Sequence, residues 1–95
     1  MLFRSAVAGR KAASCPAEDA LLATSQIVLG AAAMGLGTCL IGFAVAAMAQ
    51  DPSIAAWLGM PADERVHAVI ALGTAQRSYQ RPAGRHTAPI RWMTI

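Results

Sequence analysis

MGLGTCLIGFAVA, residues 34–46, lies inside a run with no charge from Ala20 to Gln50. It reads in two ways. As one continuous rod it is the middle of a membrane helix. As a helix end, a tight turn and a buried strand it belongs to a folded domain. Residues 27–49 are 23 uncharged positions, long enough to cross a bilayer. Eight of them are Leu, Ile, Val or Phe, together worth about −2 to −5 kcal/mol of insertion energy. Four glycines, Thr38 and Cys39 subtract from that sum. Gly35 fits a left-handed residue just past a helix end, Leu36 fits the apolar position that folds back over the last turn, and Gly37 adds a second joint. Cap, turn and strand signals follow, which a bare anchor does not need. The reading taken is a buried element of a soluble domain, with no membrane partner. A single membrane span is the alternative.

On the amino-terminal side, Pro16 to Met34 reads as a helix. Pro16 suits its first turn, and Glu18 and Asp19 suit the positive end of its dipole. Leu21, Leu22, Ser25 or Gln26, Leu29, Ala32 and Ala33 follow a three-and-four spacing and are the expected buried stripe. On the other side, residues 38–43 (TCLIGF) suit a short buried strand, and AVAAMAQ suits one or two helical turns. Asp51 then caps a short helix with Pro52 in its first turn and Gly59 as its stop. MPADE is a turn, and RVHAVIALG, residues 65–73, is a strand buried on at least one face. The remainder is broken by prolines and glycine and reads as an extended arm.

Ninety-five residues allow one small domain, and only 14% of them are charged. So sparse a charge on a 56% hydrophobic chain implies a large partner interface, a lipid-facing segment or a piece of a bigger domain. The net charge is +3, and Glu64 is the last acid. Arg65, Arg77, Arg81, Arg85 and Arg91 follow it, so the C-terminal third suits a phosphate or an acidic surface. Nucleic acid is not the expected partner, because only Tyr79 interleaves with the arginines as a stacking platform. Cys15 and Cys39 have no metal-ligand spacing and read as reduced thiols of a cytoplasmic protein. His67 reads as a satisfied strand histidine, and Trp57 and Trp92 read as packing anchors. The first 14 residues do not form a signal peptide, since the apolar stretch is short and arginines flank it on both sides.

CPAEDALLATSQIVLGAAAMGLGTCLIGFA, then LGMPADERVHAVIALG, then RPAGRH closely resembles the C-terminal half of the nitroreductase family, over about Cys15 to Trp92. The resemblance implies an α+β, partial nitroreductase-like fold: helix–strand–helix–strand with an extended C-terminal arm. Residues 1–14 are unassigned, 15–76 are the C-terminal part of a nitroreductase-like domain, and 77–95 are the arm. It implies an intertwined homodimer with FMN at the interface, and hydride transfer from NAD(P)H through FMN to a nitro compound, quinone or similar small acceptor. It places Leu40, Ile41 and Gly42 at the flavin ring, with a backbone amide facing the ring's central nitrogen, and Arg85 on the FMN phosphate. The chemistry of the residues agrees. Gly42 permits close approach of a flat ring, and Arg85 offers a planar fork of donors with no acid nearby in sequence. FMN carries the hydride chemistry itself, so no nucleophile or paired-carboxylate constellation is required. The family's arginine- and serine-rich start is absent, and its Gly-Tyr-Pro after the last strand reads Gly73-Thr74-Ala75. The chain is therefore expected to be a C-terminal fragment. A remnant that associates with itself without catalysis is the alternative function.

Overall fold

The run ERVHAVIALG gathers the β-branched residues that a doubly covered strand requires, and in the structure it is the middle strand of the sheet. The computed structural model describes residues 2–94. In chain order the elements are β1 (Leu2–Arg10), α1 (Pro16–Ala33), β2 (Gly37–Leu40), α2 (Gly42–Gln50), α3 (Pro52–Trp57) and β3 (Glu64–Gly73). The sheet order is β1-β3-β2, and both neighbours run antiparallel to β3. Val66, Ala68, Val69 and Ile70 of β3 are buried, Ile70 completely. Burial of three successive residues means that both faces of this strand are covered.

The α+β expectation holds, with one strand more than the sequence suggested. Residues 2–10, left unassigned above, pair with β3 along its whole length. Little in LFRSAVAGR announces a strand: alanines and Gly9 dominate, and the partner lies some sixty positions further on. The pairing slips between Val7 and Ala8, which oppose Ala68 and Val66, so His67 is the extra residue of a bulge. The strand expected over residues 38–43 ends at Leu40. Ile41 caps the next helix, and Gly42 and Phe43 are helical. A short apolar run fits either structure equally, and that ambiguity explains the difference.

Helix α1 packs against all three strands. Its buried residues are Ala20, Thr24 and Ala31. The expected stripe is therefore turned outward: Leu21 and Leu22 are exposed, and Leu29 keeps 62% of its surface in solvent. The reason is distance. A Cβ on Gly9 of β1 would come within 2.8 Å of the Pro16 carbonyl oxygen, so strand and helix meet backbone to backbone. At that end of the helix only small side chains fit beneath it. The buried Thr24 hydroxyl is satisfied by donating to the Ala20 carbonyl at 2.7 Å.

The opening stretch resolves as a reversal. Gly35 has φ +76°, its N–H donates to Ala32 at 3.0 Å, and the N–H of Leu36 donates to Ala31 at 2.9 Å. This pair of bonds closes a helix end around a left-handed residue. Gly59 repeats it after α3, with φ +72° and with Met60 donating back to Ala55 at 3.0 Å. Among the described residues no helix is long and apolar enough to cross a membrane. At the other end of α3, the Asp51 carboxylate accepts from the Ser53 N–H at 3.0 Å and from its hydroxyl at 2.6 Å. Those bonds, the hydroxyl's first, hold the Asp51 carboxyl below the usual aspartate range. Residues 74–94 carry no helix or strand and are exposed, as expected of an arm.

Two glycines of one helix should respond in opposite directions. Gly30 lies within α1 with nothing near its Cβ position, so Gly30→Ala should raise stability by about 0.5–1 kcal/mol. Gly35→Ala should lower it by about 1–2 kcal/mol, because an L side chain is strained at that φ. Urea midpoints that move together would contradict the reversal. For Asp51 the folded pKa lies below the unfolded one, so the cap's contribution is complete above the unfolded value of about 3.9. It is lost as pH falls through the lower folded value. A carbon-13 titration of the Asp51 carboxyl should show this low midpoint, and Ser53→Ala should move it back towards the unfolded value.

Candidate functional site

Three of the four residues singled out from the sequence are consecutive, at the junction where β2 becomes α2. Leu40 is the last strand residue and keeps 57% of its surface exposed. Ile41 is half-buried, and its N–H donates to the Val69 carbonyl at 2.8 Å. That bond ties the junction to the central strand. It also commits the Ile41 amide, so this residue has no N–H left to offer a ligand.

The helix then starts without a cap. Ile41 stands at the cap position, where a Ser, Thr, Asp or Asn oxygen would normally receive the first amides, and no side chain does so. The N–H groups of Gly42, Phe43 and Ala44 have no partner within the helix by its geometry. No acid sits in the first turn. The positive end of the α2 dipole is thus unopposed. Nothing lies within 4 Å of a Cβ placed on Gly42. The junction offers uncommitted donors behind an open glycine, with the apolar surface of Leu40 beside them. Such an arrangement can hold a flat molecule by a polar edge while its face lies on apolar side chains. The sequence pointed to Gly42. It did not point to the amides of Phe43 and Ala44, although the missing cap residue before GFAV was visible.

Arg85 is elsewhere. It lies exposed in the arm, and none of the side-chain hydrogen bonds among the described residues involves it. The arm leaves the sheet over the start of β2, where Ala75 comes within 3.5 Å of a Cβ placed on Gly37. A cleft of about 360 Å³ opens at the far end of α2, between Met48, Pro52, Met60, Glu64, Arg65 and Lys11. It does not include Leu40, Ile41 or Gly42. The junction is an open surface of this chain, and a ligand there would need a further wall. Among the described residues no group of three or more His, Cys, Asp or Glu side chains is placed to hold a metal ion. Cys15 and Cys39 are both free and exposed.

Comparison with known proteins bears on this geometry. The model of the Nitroreductase family matches residues 2–74. The match takes in β1, which the sequence resemblance left out, and stops short of the arm, which it included. A crystal structure of a nitroreductase with bound FMN from Bacteroides fragilis NCTC 9343 is similar to this chain with a TM-score of 0.78 at 20% identity. The similarity covers 96% of this chain and 50% of that one, so the chain spans about half the length of that structure. Identity at this level shows the shared fold. Among curated proteins there is no match.

The junction makes its own prediction. Proline is tolerated at the first helical position, where the N–H is unused. Gly42→Pro should therefore fold with nearly the wild-type urea midpoint. Ile41→Pro removes the bond to Val69 and leaves that buried carbonyl without its partner, at a cost of about 1–3 kcal/mol. Equal losses in both variants would show that the Gly42 amide is already committed.

Proposed function

The chain belongs to the nitroreductase family, and on that premise we propose that it is part of a flavin-dependent oxidoreductase that holds FMN at the amino end of α2. The electron donor is NAD(P)H, and the acceptor is a nitro compound, a quinone or a similar small molecule. The observation that carries this reading is the open, uncapped start of α2 at Gly42, next to the exposed Leu40. These residues fit the group. The ring has acceptor atoms along one edge and an apolar face, and the junction offers free N–H donors beside an apolar side chain. When bound, FMN supplies the hydride-transfer chemistry.

The residues of this chain have the task of binding and orienting. The Gly42 and Phe43 amides donate to the polar edge. Leu40 and Ile41 give apolar surface, and the bond from Ile41 to Val69 keeps the amides aimed by fixing them to the sheet. Arg85 brings a planar guanidinium to the phosphate, and the freedom of the arm lets it reach there. Because this chain leaves the junction open on one side, the remaining wall comes from another part of the assembly. We place that wall in a second copy. The outward leucines of α1 support this, with Leu22 at 67% exposure and Leu29 at 62%. Exposed leucines on one face of a helix are the kind of apolar patch that marks an interaction surface. The free thiols of Cys15 and Cys39 suit a cytoplasmic location.

The purified chain should be yellow, with a flavin absorbance band, and should reduce a nitroaromatic at the expense of NAD(P)H. Gly42→Pro removes one donor and should weaken FMN binding by about two- to tenfold. Arg85→Met should weaken it by about ten- to a hundredfold, with a reduced dependence on salt. A colourless chain that takes up no added FMN would leave the second reading, a self-associating protein without catalysis. The same leucine face favours that reading. Self-association has its own check. Leu22→Glu combined with Leu29→Glu should convert a dimer to a monomer in light scattering, with circular dichroism unchanged. A monomeric wild-type chain would remove the second copy from the proposal.

A further inference from the structure

We propose that the cleft at the far end of α2 binds a free apolar α-amino acid, held as a zwitterion with its side chain against the helices and its charged end on the sheet.

The cleft has a volume of about 360 Å³, at the lower end of the range for small-molecule sites. It shares no residue with the β2–α2 junction, so it stands apart from the reading of that junction as the FMN site. Its two walls differ in kind. On the helical side lie Met48 of α2, Ala55 of α3 and Met60 of the turn that follows, all half-buried. Methionine is unbranched and polarizable, and it adapts to apolar groups of several shapes. The sheet side carries the charges: Lys11 just after β1, and Glu64 and Arg65 at the start of β3.

Lys11 is held at both ends by the turn before β3. Its amide N–H donates to the Asp63 carbonyl at 2.7 Å, and its Nζ donates to the Ala62 carbonyl at 2.9 Å. An ammonium has three donors, so two remain for a ligand. Glu64 is half-buried, and among the described residues neither its carboxylate nor the Arg65 guanidinium makes a side-chain hydrogen bond. Two cations and one anion thus stand opposite an apolar wall. A simple carboxylate or a simple amine answers only one of those signs. A carboxylate and an ammonium on one carbon answer both, the carboxylate towards Lys11 and Arg65 and the ammonium towards Glu64. The side chain on that carbon is left for the methionine wall. A peptide carries its two terminal charges on different residues and does not present both at one wall.

The test is equilibrium dialysis of the full chain against L-leucine, 4-methylpentanoate, isopentylamine and glycine. The last three lack, in turn, the ammonium, the carboxylate and the apolar side chain. L-Leucine should bind, and each of the others should bind at least about tenfold more weakly. The leucine Kd should rise with ionic strength. Glu64→Gln should weaken leucine by about five- to fiftyfold and leave 4-methylpentanoate no weaker. Arg65→Gln should weaken both leucine and 4-methylpentanoate and leave isopentylamine no weaker. This crossed pattern is the signature of lost charge partners. Uniform weakening of every probe by either variant would mean a general disturbance of the cleft and would overturn the proposal. So would a leucine Kd that neither variant moves. Absence of leucine binding to the wild-type chain, or binding of 4-methylpentanoate or isopentylamine as tight as that of leucine, would overturn it before any variant is made, and this first series decides even where a variant fails to fold.

Discussion

The N–H of Leu36 donates to Ala31 and that of Gly35 to Ala32, and these two bonds turn the chain out of α1 and into β2. They require the left-handed backbone that Gly35 adopts at φ +76°. Everything beyond them depends on that turn. Only after the reversal can Gly37–Leu40 lie antiparallel to Gly73–Ile70, and only then does Ile41 reach Val69. A straight continuation would carry the same apolar residues away from the sheet and leave β3 with one neighbour.

Strand β3 is the other fixed point. It receives β1 on one edge and β2 on the other, and both α1 and α2 pack against it. Its buried run Ala68-Val69-Ile70 is the centre of a small core. Around it the chain gathers β1 from its start and β2 from its middle, so this core exists only when the sheet is complete. The bond from Ile41 to the Val69 carbonyl extends the same order into the candidate site. The amino end of α2 is held at a fixed place on the sheet and not on a free loop.

The two faces of α1 divide the labour of the molecule. Ala20, Thr24 and Ala31 allow the helix to lie close over the sheet. The larger Leu21, Leu22 and Leu29 look away from it. A self-contained domain of this size would put leucines inward, because its small core needs every large side chain. Their outward position leaves an apolar surface on the side of the helix away from the sheet. It agrees with a chain that covers about half of a similar, FMN-bound structure. At the candidate site the side of Gly42 is likewise open: donors and one apolar side chain are present among the described residues, with nothing within 4 Å of a Cβ placed on the glycine.

Local signals in the sequence determined the punctuation of the fold. Gly35, Gly59, Asp51, Pro16 and Pro52 each act through their own backbone or through bonds to residues a few positions away, so the ends of α1 and α3 could be read directly. The β-branched run of β3 was legible for the same reason. Gly42 was singled out by the family resemblance, and the structure adds that nothing lies within 4 Å of a Cβ placed on it. Three things were decided only in three dimensions. β1 is a strand because β3 offers it an edge, and LFRSAVAGR has no strong preference of its own. TCLIGF divides at Ile41 because that amide finds the Val69 carbonyl, a partner nearly thirty residues away. The leucines of α1 face outward because the face laid on the sheet carries Ala20, Thr24 and Ala31, and at the start of the helix Gly9 meets Pro16 backbone to backbone. Spacing along one helix identifies stripes, but the surface it lies against decides which stripe is buried.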